Sequence, residues 1–187
     1  NGTPNEFLIK CAELTRTGVG LPAYYNDEVI IPALMSRGVT LADAREYGII
    51  GCVEPQKPFK TDGWHDAAFF NMCRPLELVF SNGVDKGAQI SIKTGNVEDM
   101  TTFEEFYNAY KAQETYMIGL MVNAINAIDT AHSERVPLPF LSCMVEDCVK
   151  EGKTVQEGGA HYNFTGPQGF GIANMADGLW AVKTLVF

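Results

Sequence analysis

Basic residues are scarce in this chain. Its 14 Lys and Arg stand against 23 Asp and Glu, a formal net charge of −9. Nucleic acid and anionic membrane surfaces call for clustered Lys and Arg, so neither is expected as a partner. No uninterrupted apolar run approaches the roughly 18 residues that a membrane-spanning helix requires. No basic stretch leads into an apolar one, as a secretory signal would. There are three histidines, and His132 and His161 have no neighbours at metal-ligand spacing. Each reads as a structural histidine, with Asp129 and Glu134 capping and pinning helix ends near His132. The five cysteines are an odd number in a chain too large to depend on disulfide staples. Cys143 and Cys148 have the wrong separation for a zinc knuckle. The pattern points to a reducing cytoplasm and to no metal site.

A phosphate-binding loop is missing too. The run Gly166-Pro167-Gln168-Gly169-Phe170-Gly171 is glycine-rich, but the dinucleotide fingerprint needs Gly-x-Gly-x-x-Gly and an acidic residue about 20 positions later. The glycines are spaced differently, and no complete Walker Gly-x-x-x-x-Gly-Lys-Ser/Thr occurs. The run reads as a tight loop where backbone packs closely.

What is present is apolar substance. With 46% hydrophobic and 11% aromatic residues, 187 positions suffice for a sizeable core. Periodicity predicts helices over Asn5–Thr17, from Asn26 or Asp27 to Gly38, and from Thr40 to Tyr47. Pro32 implies a later start or a kink in the second. Short helix, glycine and short apolar strand alternate in the manner of a barrel or open α/β sheet. Trp64 to Phe80 reads as a helix kinked at Pro75, with Ala68, Met72, Leu76 and Val79 on one face. Gln89 to Lys93 reads as a short strand or arm. The longest helix starts at Thr101 or Thr102, each fitting a capping box with Glu104 or Glu105, and runs to His132. Its stripe of Phe106, Tyr110, Met117, Leu120, Met121, Ala124, Ile125 and Ile128 is assigned to the core. A helix from Ser142 to Lys150, an extended Tyr162-Asn163-Phe164 and a helix from Asn174 to Val186 complete the chain.

Chemistry concentrates in Ile49-Ile50-Gly51-Cys52-Val53-Glu54-Pro55-Gln56. Two apolar strand formers end at a glycine, and Pro55 is expected to stop regular structure. If the segment is extended, Cys52 and Glu54, two positions apart, point to one side. A reactive sulfur would then stand beside a base. Cysteine as a small buried filler is the other reading of the same residues. His65-Asp66 stands in the first turn of the predicted helix, so stabilising the helix N-terminus is a complete account of Asp66 on the residues alone.

Gly51-Cys52-Val53-Glu54-Pro55, followed by Gly63-Trp64-His65-Asp66-Ala67-Ala68-Phe69-Phe70-Asn71, resembles the active-site cysteine region of glycyl radical enzymes of the pyruvate formate-lyase-like kind. Within them it is most similar to the glycerol and propane-1,2-diol dehydratases. The likeness continues through Tyr162-Asn163-Phe164-Thr165-Gly166-Pro167-Gln168-Gly169-Phe170-Gly171 and covers nearly the whole chain. It departs at Phe59, where related sequences carry glycine, a change expected to reshape the loop.

The resemblance implies a ten-stranded α/β barrel with the cysteine loop, residues 49–56, at its centre. Residues 1–187 would be a helix-rich interior segment of that catalytic domain. The family's radical glycine sits in an Arg-Val-x-Gly-Tyr-like segment; here Arg135-Val136 runs into Pro137, so the glycyl radical domain is expected outside this chain. The segment alone is expected to be inactive. The implied reaction is B12-independent dehydration of glycerol or propane-1,2-diol, by a thiyl radical on Cys52 with Glu54 as base. Asp66 would hold substrate hydroxyls, with His65 beside it. No cofactor is expected in the segment, the radical being installed by an iron–sulfur, S-adenosylmethionine-dependent activase. Expected partners are the diol, that activase and a second copy in a homodimer. Isethionate sulfite-lyase, hydroxyproline dehydratase and choline trimethylamine-lyase share the Cys52–Glu54 chemistry and remain alternatives. Outside the family stand a non-catalytic barrel fragment and a hydrolase pairing Cys52 with His132 or His161, for which no third orienting residue is identifiable.

Overall fold

Asn26 and Thr40 each place a side-chain oxygen where a helix must satisfy its first N–H groups, and the N-terminal part of the fold is built around them. The computed structural model describes residues 2–187, which divide at Pro58 into two compact units. The first holds α1 (Asn5–Thr15), α2 (Asp27–Ser36) and α3 (Leu41–Ala44). Asn26 accepts from the Glu28 N–H at 3.1 Å, and Thr40 from the Asp43 N–H at 3.2 Å. Helix α2 begins at Asp27 with Pro32 inside it, so the proline does not delay its start. The third helix is a single turn and stops short of the expected Tyr47. Strand β1 (Gly48–Ile50) then pairs antiparallel with β2 (Glu54–Gln56), Ile49 facing Pro55 and Ile50 facing Glu54. Pro55 therefore does not end regular structure. A two-stranded ribbon leaves every strand an open edge, where a residue without an N–H is tolerated.

The second unit opens with a correction. Thr61–Asn71 form strand β3, parallel to β6 (Tyr162–Phe170), where a helix from Trp64 was expected. Trp64, Phe69 and Phe70 are strand formers, and their partner strand lies about a hundred residues on, beyond any local periodicity. Helix α4 (Cys73–Phe80) starts only where the Asn71 side chain accepts the Cys73 N–H at 3.0 Å. Pro75 falls in its first turn, where a missing donor costs nothing, so no kink is required. Strands β4 (Val84–Asp85) and β5 (Ala88–Gln89) make a tight hairpin, and the expected strand over Gln89–Lys93 ends at Gln89.

Helix α5 (Phe103–Arg135) begins with the capping box of Thr102 and Glu105. Asp129 lies within it, not at its end. The helix expected over Ser142–Lys150 is replaced by α6 (Pro139–Ser142) and α7 (Cys148–Glu151). The break is at Asp147, with φ 74°. Beside it, the Glu146 N–H donates to the Phe59 carbonyl at 2.7 Å, and its carbonyl accepts the His161 N–H at 3.2 Å, so neither serves a helix. Phe59 itself has φ 64° and is 78% exposed: the backbone holds a conformation that glycine favours, and the aromatic ring stands in solvent.

The last helix, α8 (Ile172–Leu185), lays Met175, Leu179 and Val182 against a buried cluster of Leu76, Val79, Phe106, Ala109 and Tyr110. The core thus takes the first part of the α5 stripe and Ile125, while Leu120 and Ile128 stay exposed. Gln113, wholly buried, donates to the Ile92 carbonyl and Thr94 hydroxyl and accepts from Ser91. A buried amide with its polar atoms engaged is tolerated in such a core. Among the described residues, no helix is long and apolar enough to cross a membrane.

Candidate active site

Gly51, Cys52 and Val53 form the turn between β1 and β2. Glu54 Oε2 accepts the N–H groups of both Cys52 and Val53, each at 2.9 Å. The carboxylate thus folds back over the turn that carries the thiol. Gly51 makes this possible: its φ is +60°, and a Cβ there would stand 2.9 Å from Glu54 Oε2. Tyr25 adds a third tie, its hydroxyl donating to the Cys52 carbonyl at 2.9 Å. The extended-strand argument for Cys52 and Glu54 is corrected here. They are brought together at a hairpin tip, by backbone N–H groups gripping a carboxylate, and not by the two-residue period of a strand. Cys52 is exposed, whereas Cys148 is buried and its thiol is pushed up by that burial. Within this segment, buried filler describes Cys148.

His65 and Asp66 lie in the second unit, on an irregularity of β3. Pairing with β6 runs from Thr61 opposite Tyr162 to Trp64 opposite Thr165, then resumes at Ala68 opposite Pro167. His65, Asp66 and Ala67 consequently face Gly166 alone, a bulge of the kind that re-aims side chains beside active sites. A Cβ on Gly166 would stand 3.0 Å from His65 Cα and 3.2 Å from its carbonyl oxygen, so glycine lets the strands close on the bulge. Gln168 on β6 donates its amide to Asp66 Oδ1 and, at 3.3 Å, to the His65 carbonyl. The helix-cap reading of Asp66 is corrected, since α4 starts at Cys73, with Met72 at its N-cap position and the Asn71 side chain accepting the Cys73 N–H. The loop reading of Gly166–Gly171 is corrected as well: the run stays in β6 through Phe170, and Gly166 serves close approach between strands.

The second unit holds further polar groups. A cavity of about 320 Å³ is lined by Asp62, Trp64, Asp129, His132 and Gln156, among others. Burial, and then Asp129, push the Asp62 carboxyl upward. The His132 ring packs edge-on to Trp64 at 5.2 Å. His161 Nδ1 lies 2.7 Å from Asp147 Oδ2, and this bond holds the Asp147 carboxyl below the usual range. Among the described residues, no three or more His, Cys, Asp or Glu are grouped to hold a metal ion. Sequence reasoning missed Tyr25 and Gln168. Nothing local marks Tyr25, and Gln168 stands within a glycine run that reads as a loop.

The family model described as pyruvate formate lyase-like matches residues 1–187. The chain belongs to that family. A structure of 1,2-propanediol dehydration in Roseburia inulinivorans is 67% identical with a TM-score of 0.91, covering 100% of this chain and 24% of that one. The glycerol-bound B12-independent glycerol dehydratase of Clostridium butyricum is 64% identical with a TM-score of 0.92 over the same shares. The (2S)-3-sulfopropanediol dehydratase of Klebsiella oxytoca is 40% identical over 99% of this chain and 23% of its own length. The chain thus spans about a quarter of the proteins it matches, and forms a helix-rich α/β portion of their barrel fold.

Proposed function

We propose that this chain is the cysteine-loop segment of a glycyl radical C–O lyase that dehydrates glycerol or propane-1,2-diol. The observation that carries the reading is the hairpin tip, where the Glu54 carboxylate is tied to the N–H of Cys52. Identities of 67% and 64% to structures concerned with 1,2-propanediol and glycerol support the branch. The segment belongs to the interior of the catalytic barrel, with the glycyl radical domain elsewhere in a longer, homodimeric, cytoplasmic protein. A separate S-adenosylmethionine-dependent, iron–sulfur activase installs the radical.

Cys52 gives up its S–H hydrogen atom to that glycyl radical and becomes a thiyl radical. The sulfur then takes a hydrogen atom from the carbon bearing a substrate hydroxyl: an S–H bond forms, a C–H bond breaks, and the unpaired electron passes to carbon. The two bonds are comparable in strength, so this transfer is close to balanced. Glu54 accepts the proton of the same hydroxyl. The resulting ketyl expels the neighbouring hydroxyl with its bonding pair; that oxygen takes the proton from Glu54 and leaves as water. A carbonyl remains, with the unpaired electron on the adjacent carbon, which recovers a hydrogen atom from Cys52. The products are an aldehyde, water and a restored thiyl radical. Asp66, with His65 beside it, holds substrate hydroxyls.

A second reading, another lyase of the family, is favoured by the 40% identity to a sulfopropanediol dehydratase and the 38% identity to a trans-4-hydroxy-L-proline dehydratase. The complete protein, activated without oxygen, should be offered glycerol, propane-1,2-diol, (2S)-3-sulfopropanediol, trans-4-hydroxy-L-proline, isethionate and choline in parallel. Aldehyde from glycerol or propane-1,2-diol is the expected result. Turnover confined to another compound would move the protein to another branch.

A further inference from the structure

We infer that Gln168 is a positioning residue, whose amide reaches from β6 to fix the β3 bulge so that Asp66 presents its carboxylate to the substrate. The inference rests on the reading of Asp66 as substrate-binding. It begins from the register of β3 and β6, which returns after the bulge at Ala68 opposite Pro167 and places Gln168 opposite Phe69. From there the side chain turns back toward the irregularity. A primary amide carries two N–H donors on one nitrogen, and the two acceptors offered here are unlike: a carboxylate oxygen of Asp66 and the backbone carbonyl of His65. One bond orients a side chain; the other pins the backbone from which that side chain springs.

The neighbours are arranged to keep this grip. Gly166 lets β6 approach the bulge to within the 3.0 Å that a Cβ there would have from His65 Cα. On the far side, a Cβ on Gly169 would stand 3.2 Å from Met72 Sδ, so the strand is also closely held beyond Gln168. Asp66 itself is exposed, and a short exposed carboxylate without such a partner samples several rotamers. The substrate would then have to select one of them. Asparagine is one methylene shorter than glutamine and would not reach across. Glutamate has the length, but presents an acceptor and a negative charge to the Asp66 carboxylate.

The test uses the complete, activated protein with propane-1,2-diol and with glycerol. Gln168→Met keeps the length and removes the donors. Losing a charge-assisted bond of this kind corresponds to roughly ten-fold or more. That loss is expected in kcat/KM, at unchanged radical content by electron paramagnetic resonance and with a melting temperature close to the parent's. Gln168→Glu should lose more than Gln168→Met, because it replaces attraction by repulsion. The Asp66→Asn, Gln168→Met double variant should lose no more than about twofold beyond Asp66→Asn alone, since both changes act through one carboxylate. If Asp66→Asn leaves diol turnover intact, the substrate-binding reading of Asp66 fails and this inference with it. If Asp66→Asn is costly while Gln168→Met is silent, or the two losses multiply in full, the positioning role alone is overturned. Failure of both Gln168 variants to fold would overturn it too, assigning Gln168 to stability.

Discussion

Replacing Glu54 by glutamine separates two functions that the hairpin tip combines. The carboxylate holds the turn through the N–H groups of Cys52 and Val53, and in the proposed cycle it takes the hydroxyl proton. A glutamine carbonyl can accept the same two N–H groups but is no base at neutral pH. The structural loss is the difference between charge-assisted and neutral hydrogen bonds, about 1 kcal/mol each in a protected setting and less in a partly exposed turn. The chemical loss is that of general-base catalysis, a factor of about 10²–10⁴, or roughly 3–5 kcal/mol of barrier. Glu54→Gln should therefore fold almost normally and turn over at least about a hundred-fold more slowly. Glu54→Ala, which removes the acceptor too, should also loosen the turn and melt lower. The assay is aldehyde formed per glycyl radical in the complete protein, with the radical counted by electron paramagnetic resonance. Glu54→Gln turning over within about ten-fold of the parent per radical would refute the assignment of Glu54 as base.

Cys52→Ser should abolish turnover while the glycyl radical can still be installed, since a hydroxyl cannot carry the hydrogen atom; measurable dehydration by that variant would end the thiyl mechanism. Tyr25→Phe removes the hydroxyl that donates to the Cys52 carbonyl, a bond worth about 0.5–1.5 kcal/mol, so kcat should fall several-fold with KM little changed. The bond to His161 lowers the Asp147 carboxyl, so its folded value lies below its unfolded one. This contribution to stability is present above the ordinary carboxylate range and is lost as pH falls through the lowered value. His161→Phe should accordingly flatten the acid limb of a stability-against-pH curve, while a limb unchanged in shape would contradict the pairing.

The parts of the fold legible in the sequence are those whose causes are local. Thr102 and Glu105 lie three positions apart and begin α5 as such a pair should. The cysteine loop was also legible, partly through its resemblance to a family, although its geometry is a turn where an extended run was inferred. What stayed hidden depends on distant partners. Trp64 to Asn71 carries a spacing compatible with a helix, and only pairing with β6 makes it a strand. Asp66 is a plausible helix cap until that strand exists. Gly166 looks like a turn residue, because nothing in the run reveals that a second backbone approaches it. At Phe59 the backbone is left-handed, with φ 64°, and an aromatic residue gives no sign of it.

The pairing of β3 with β6 also has a consequence during synthesis. The residues of β3 leave the ribosome about a hundred positions before those of β6. At roughly 5–20 residues per second, the first strand waits about 5–20 s for its partner. Throughout that interval its backbone donors and acceptors lack their eventual ladder, and Trp64, Phe69 and Phe70 are available to any passing chain. Asp66 and His65, sitting in the middle of the waiting strand, interrupt its apolar run and make it a poorer template for aggregation. The bulge cannot take shape until β6 arrives. The residues proposed to recognise a diol would thus protect the nascent polypeptide before they have any substrate to bind.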